Sequence, residues 1–212
     1  MNEESRSNQD MAQKVPGRVP VDSSVLFLRF VLYLAILVVG LSLDLWTKNW
    51  MFAHLGLPGE YLAAEKPQAN ATWWIIDGVF GFQTSLNQGA LFGMGQGKVH
   101  IFALFSFVAI GGILGWLFFF RGLSSLFLTV VLGMISAGIL GNLYDRLGLH
   151  RLKWNYPGEL HEVGDPVYAV RDWILVMIGN WPWPNFNIAD SLLVCGAILL
   201  TLFALFSKDE II

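Results

Sequence analysis

The stretch VLFLRFVLYLAILVVGLSL, residues 25–43, decides the fold, because Arg29 is the one charge in an otherwise apolar run. A helix of about 20 apolar residues is long enough to cross a hydrocarbon core. The competing reading is a cleaved signal peptide. The run exceeds an h-region of about 7–15 residues, and no small-x-small cleavage site follows it. The polar residues 1–24 also precede it, so a retained helix is expected. Three further runs follow at about 99–120, 123–140 and 189–206. Little more than Arg121 and Gly122 separates the middle pair, which predicts a tight helical hairpin. Composition agrees: 55% of the 212 residues are hydrophobic, 14% are charged, and the mean hydropathy is +0.55. Soluble domains carry about 45–50% apolar and about 25% charged residues. The excess asks for an apolar solvent. The expected fold class is an all-α membrane protein with four transmembrane helices.

Outward from these runs, residues 1–24, with Pro16 and Pro20, read as a disordered cytoplasmic tail. Residues 25–207 form the transmembrane domain, and 208–212 a short cytoplasmic C-terminal tail. With four spans, the polar segments 44–98 and 142–188 lie on one side of the membrane. Both termini and Arg121 then lie on the other. Arg6, Lys14, Arg18, Arg121 and Lys208 gather on that terminal side, which the positive-inside rule puts in the cytoplasm. In the first segment Asp77-Gly78 offers a turn, beside Val79, Phe80, Phe82 and Leu86 mixed with small polar residues. This pattern predicts a small extracytoplasmic β-sheet. The second segment holds Trp154, Tyr156, Trp173, Trp181 and Trp183, the composition of an interfacial loop. Gly111, Gly112, Gly115, Gly133, Gly138 and Gly141 are expected to let the helices approach closely.

Several functions are excluded. A net charge of -3 gives no basic footprint, so no nucleic-acid partner is expected. Cys195 is the sole cysteine, which rules out an intrachain disulfide and a cysteine-based zinc cluster. His54, His100, His150 and His161 lack ligand spacing, and the chain has no HExxH, GxSxG or P-loop. No metal or cofactor is expected.

Five polar clusters remain. Asp44 and Lys48, four apart, form the favourable helical ion pair and read as structural. If its helix continues through residue 146, Asn142, Asp145 and Arg146 share one face. Asn187 reads as an N-cap and Asp190 as a first-turn acid facing the helix dipole. Gly89, in Asn87-Gln88-Gly89, suits either a turn or the close approach of a bound chain. Asp172, taken alone beside Arg171, reads as half of a surface ion pair. Connectivity nevertheless brings all five clusters to one membrane face. Acids at membrane depth are functional candidates. Two adjacent carboxylates resist double ionisation, so one keeps a proton. The ionised one can then deprotonate water while the other donates to a carbonyl, which is aspartyl peptidase chemistry. A proton-coupled transporter would need polar residues through to the far face, and a lipid-binding assembly protein would need no carboxylate pair. The residues by themselves do not choose which aspartates act.

In order along the chain, these elements resemble the lipoprotein signal peptidases (signal peptidase II) of bacteria. D-x-x-T-K is Asp44 to Lys48, and N-x-G-x-x-F is Asn87 to Phe92. G-N-x-x-D-R is Gly141 to Arg146, and F-N-x-A-D is Phe186 to Asp190. The similarity runs from about residue 25 to 206. It implies an intramembrane aspartyl endopeptidase that cleaves diacylglyceryl-modified prolipoproteins before the lipidated cysteine. The resemblance further implies a multi-pass protein of the bacterial cytoplasmic (inner) membrane, with its active site at the extracytoplasmic face. Its partners would be lipidated prolipoproteins and membrane lipids, and it would act as a monomer without a cofactor. The implied catalytic residues are Asp190 and Asp172, the latter in Val170-Arg171-Asp172-Trp173-Ile174. Asn87, Gly89, Asn142, Arg146 and Asn187 match substrate-pocket positions, and Asp44, Lys48 and Asp145 look like supporting residues. The stretch between Arg146 and Asp172 is longer than the family's, which makes Asp165 in Gly164-Asp165-Pro166-Val167 a rival. The aromatic and isoleucine after Asp172 fit the family element, and proline does not. The outer loop around residues 56–72 is also enlarged.

Overall fold

Asp22 accepts a hydrogen bond from the Ser24 backbone N–H at 3.0 Å and so starts α1, Ser23–Leu55, in a computed structural model. The described residues are 21–58, 72–89, 95, 97–119, 122–158 and 161–206. Outside them lie residues 1–20 of the expected N-terminal tail, residue 207 with the expected C-terminal tail 208–212, most of the enlarged loop (59–71), Arg121 and motif residues 90–92. α1 is 33 residues long and does not stop near residue 43, where its apolar run ends. It continues because Asp44 and Lys48 are buried against other helices rather than facing solvent. Gly56, at φ 75°, ends it.

The other helices are α2 (Val99–Phe119), α3 (Leu126–Arg146) and α4 (Ile188–Phe206). A 3-10 turn at Gly122–Ser124 joins α2 to α3, and the Ser125 hydroxyl caps α3 by accepting from Leu128 N–H at 3.3 Å. Arg29 explains itself here. Its guanidinium donates to Leu123 O at 3.0 Å and also to Ser124 O, satisfying carbonyls of the turn.

α3 is the central helix and packs against α1, α2 and α4. It buries twelve residues, whereas α4 buries only Ala189 and Gly196. Its glycines make this possible. A Cβ on Gly138 would meet Ala189 O at 2.5 Å, and one on Gly133 would meet Ile36 at 3.1 Å. The expectation fails for Gly111, Gly112 and Gly115, around which a Cβ would find nothing within 4 Å. α2 contacts its neighbours too lightly to need them.

At one end of the bundle sits a four-stranded antiparallel sheet in the order β1-β2-β3-β4. Its strands are β1 (Trp73–Ile76), β2 (Phe80–Asn87), β3 (Val170–Ile178) and β4 (Trp181–Pro182). The turn expected at Asp77-Gly78 joins β1 to β2, with Gly78 at φ 67°. One reading is corrected: the sheet is not confined to the first polar segment, and residues 170–178 are not interfacial loop. Phe82 pairs with Ile174, Ser85 with Asp172 and Asn87 with Val170, so β3 lies at the middle of the sheet. The aromatics divide accordingly. Trp173 is buried beside Met51 and meets Phe82 edge-on at 5.2 Å. Trp154 is buried and stacks on His161 at 3.6 Å, while Trp181 and Trp183 remain exposed. Within the long connection, Trp154 N–H donates to Asp165 O at 2.9 Å and Val167 N–H to Leu152 O at 3.0 Å. The helices long and apolar enough to cross a membrane, with the small sheet, agree with the expected fold class.

Candidate active site

The start of α4 organises the site. Asn187 Oδ1 accepts from Asp190 N–H at 2.9 Å, and Asn187 N–H donates to Asp190 Oδ2 at 3.3 Å. This reciprocal cap satisfies backbone donors that a helix leaves open. It also leaves the Asn187 amide N–H groups pointing away from the helix. Nδ2 donates to Asp172 Oδ1 at 2.6 Å and to Asn142 Oδ1 at 3.2 Å. Asn142 Nδ2 in turn donates to Asp190 Oδ1 at 2.7 Å. Two amides therefore link the two carboxylates, Asp172 through Asn187 and Asn142 to Asp190.

Asp172 reaches this position because it lies on a strand, where successive side chains point to opposite faces. Arg171 consequently turns away from it. The pairing read from their adjacency is corrected: Arg171 pairs with Asp145, Nη2 to Oδ1 at 2.9 Å. Asp172 is not at the surface either, being 2% exposed. Burial, and next the charge of Asp190, push its carboxyl well above the usual carboxylate range. Lys48 and hydrogen bonds from Asn187 and Asn87 oppose that rise.

Behind the amides lies a buried ionic cluster. Lys48 Nζ is 2.8 Å from Asp44 and 3.0 Å from Asp145, and all three side chains are fully buried. It also donates to Asn142 Oδ1 at 3.2 Å, and Asp44 Oδ1 accepts from Ala189 N–H at 2.9 Å. The cluster ties α1, α3 and the first turn of α4 together. Lys48 and Asn187 both donate to Asn142 Oδ1, which fixes the amide with its N–H groups toward Asp190.

Arg146 ends α3 half-buried, its guanidinium 5.6 Å from the Phe102 ring centroid. Its strongest electrostatic partner is Asp190, followed by Asp172. Asn87 ends β2, where its Oδ1 accepts from Gly89 N–H at 3.0 Å, and its side chain is one of the polar groups that oppose the rise of the Asp172 carboxyl. Asn87, Asn142, Arg146 and Asn187 thus converge on the two carboxylates, with Gly89 in the adjoining turn. Asp165 is exposed and accepts from Glu162 N–H at 2.8 Å within its own turn. Among the described residues no three His, Cys, Asp or Glu side chains come together as a metal ion would require. Sequence reasoning missed Arg171 and Asn49, which are joined through Nη1 and Oδ1 at 2.6 Å. The only signal was the proximity of Arg171 to a nominated acid.

A family model described as signal peptidase (SPase) II matches residues 36–206. The chain is 46% identical over 173 residues to a lipoprotein signal peptidase of Rhodopirellula baltica, covering 81% of this chain and 70% of that protein. It is 32% identical over 171 residues to one of Clostridium novyi, covering 80% and 95%. Among solved structures, a bacterial membrane enzyme superimposes with a TM-score of 0.62 at 23% identity, covering 85% of this chain and 93% of the other. That likeness speaks for the fold, and the sequence matches speak for the family. With four helices fit to span a membrane and a family match that runs into all of them, this chain belongs to the signal peptidase II family of membrane peptidases.

Proposed function

We propose that the chain is an aspartyl endopeptidase that removes signal peptides from diacylglyceryl-modified prolipoproteins, cleaving before the lipidated cysteine. Asp172 and Asp190 are its catalytic carboxylates. The observation that carries this reading is the pair of amides, Asn187 and Asn142, linking the two acids at 2.6 and 2.7 Å. The substrate class comes from the relatives, which carry the name lipoprotein signal peptidase.

Burial and the charge of Asp190 keep the proton on Asp172. Asp190 takes a proton from water as the water oxygen bonds to the scissile carbonyl carbon. Asp172 gives its proton to the carbonyl oxygen, forming a neutral tetrahedral intermediate. Collapse breaks the C–N bond, returns that proton to Asp172 and passes the one on Asp190 to the leaving nitrogen. Asn142 and Asn187 orient the acids, while Asn87, Gly89 and Arg146 face the substrate chain. Asp44, Lys48 and Asp145 hold the frame.

A site at the extracytoplasmic face of the cytoplasmic membrane is supported by the charge bias of the sequence, which favours termini in the cytoplasm. A lipid-anchored substrate enters from the bilayer, and its acyl chains contribute about 0.8 kcal/mol per buried CH₂. The test is purified protein in micelles with a precursor, lipidated or not. Cleavage confined to the lipidated precursor, insensitive to chelators and lost in both Asp172→Asn and Asp190→Asn, is expected. Full activity in either folded variant removes that aspartate from the mechanism.

A further inference from the structure

Arg171 is charged yet only 2% exposed, and the chemistry above gives it no task. Its contacts are dense. The backbone N–H donates to Asp145 Oδ2 at 3.0 Å, and Nε donates to Asp145 Oδ1 at 3.0 Å. Nη1 donates to Asn49 Oδ1 at 2.6 Å, and the backbone carbonyl accepts from Asn187 Nδ2 at 3.4 Å. α1, α3 and the cap of α4 therefore all meet β3 at the residue before Asp172. In the sheet Arg171 pairs with Leu86, close to a register irregularity. The register between β2 and β3 shifts between Phe82 and Ser85, and Ser85 is the partner of Asp172.

We propose that Arg171 is a positioning residue for Asp172: its guanidinium fork holds β3 against α1 and α3, so that the next carboxylate meets Asn187 and Asp190 in one geometry. This inference rests on the assignment of Asp172 and Asp190 as the catalytic pair.

The fork also sets charge. Asp44, Asp145, Lys48 and Arg171 form a buried cluster whose formal charges cancel. Without Arg171, two buried carboxylates share one ammonium beside the catalytic pair. The groups around Asp172 are Asp44 and Lys48 from α1, Asp145 and Arg146 from α3, and Asp190 from α4. β2 brings Asn87 and no ionisable side chain. His150, just beyond α3, is pushed down to about 4 by burial and is neutral at working pH. Among the described residues named here none replaces the lost positive charge, so the acid limb of the rate profile moves to higher pH.

Three variants test this, with rates expressed per folded molecule. Arg171→Lys keeps the charge but replaces the planar fork with a compact ammonium. It is expected to lower kcat about tenfold with KM and the acid limb unchanged. Arg171→Met is expected to lower kcat about 100-fold and to raise the acid limb. Arg171→Met/Asp145→Asn restores the cluster's charge balance, so the limb and the folded yield return while kcat stays low. Wild-type kcat per folded molecule in Arg171→Lys and in the double variant overturns the proposal, and so does a limb that never moves. An active Asp172→Asn defeats the catalytic pair itself. An inactive Asp172→Asn beside a fully active Arg171→Lys defeats the role of Arg171 alone.

Discussion

Asn187 donates to Asp172 at 2.6 Å, so the residue that caps the fourth helix also holds the carboxylate carried by the third strand. Helix initiation and site assembly are therefore one event. Neither can shift without the other.

Two substitutions at Asn187 separate its tasks. Serine keeps a capping oxygen and removes the amide N–H, whereas alanine removes both. Both variants are expected to lose cleavage about 100-fold, because the carboxylate is no longer held. Asn187→Ala should in addition be less stable than Asn187→Ser by about 1 kcal/mol, the worth of the cap. Denaturation and cleavage of the lipidated precursor measure the two effects. An active Asn187→Ser would show that the amide bond to Asp172 is dispensable.

Asp172 also ties stability to pH. Its folded-state carboxyl lies well above the usual carboxylate range, mainly through burial. The native protein thus holds a proton that the unfolded chain has already released. This contribution is complete below the unfolded value and is lost as pH rises through the raised folded value. Asp172→Asn is uncharged throughout. Its melting temperature should match the wild type in acid and exceed it increasingly as pH rises, even as its cleavage activity is expected to be lost. Parallel melting curves at every pH would contradict the raised carboxyl.

Lys48 is the one ammonium between Asp44 and Asp145, and all three side chains are fully buried. Removing one partner of a buried ion pair costs about 3–5 kcal/mol. Lys48→Met is therefore expected to leave little folded protein. Asp44→Asn/Lys48→Met keeps the Asp145–Arg171 pair intact and removes the stranded charge, so it should recover most of the folded yield. Size-exclusion profiles of the two variants decide the matter. Equal yields would mean that the charge balance is unimportant.

Length and composition were enough for the helices, since few structures other than membrane spans use four such runs. The polar clusters were legible as a convergence, because connectivity alone sends them to one face. The sheet was only half legible. Phe80 pairs with Val176 across two helices, and no local pattern reports so distant a partner. Aromatic content misled for Trp173 and Trp154, because a buried tryptophan and an interfacial one look alike in sequence. The resemblance implies pocket positions for Asn142 and Asn187, and only the structure shows that their amides also hydrogen-bond the acids. Adjacency in sequence suggests Arg171 as the partner of Asp172, which strand alternation forbids. These are long-range facts, absent from any short window.

The glycines give the sharpest contrast, because sequence treated them alike and the packing does not. A Cβ on Gly138 would lie 2.5 Å from Ala189 O and 2.7 Å from Leu193 Cγ. The leucine could rotate, but the backbone carbonyl cannot. Gly138→Ala must therefore push away the first turn of α4, which carries Asp190 and its 2.7 Å bond from Asn142. Overpacking of this kind costs about 1–3 kcal/mol, and the displaced carboxylate should lower kcat as well. Gly112, in contrast, has nothing within 4 Å of an added Cβ. Glycine inside a helix is about 0.8–1.0 kcal/mol less favourable than alanine, so Gly112→Ala should be neutral or stabilising and fully active. Melting and cleavage assays on the two variants test the packing directly. A fully active, stable Gly138→Ala would mean that α3 and α4 are not held at this separation.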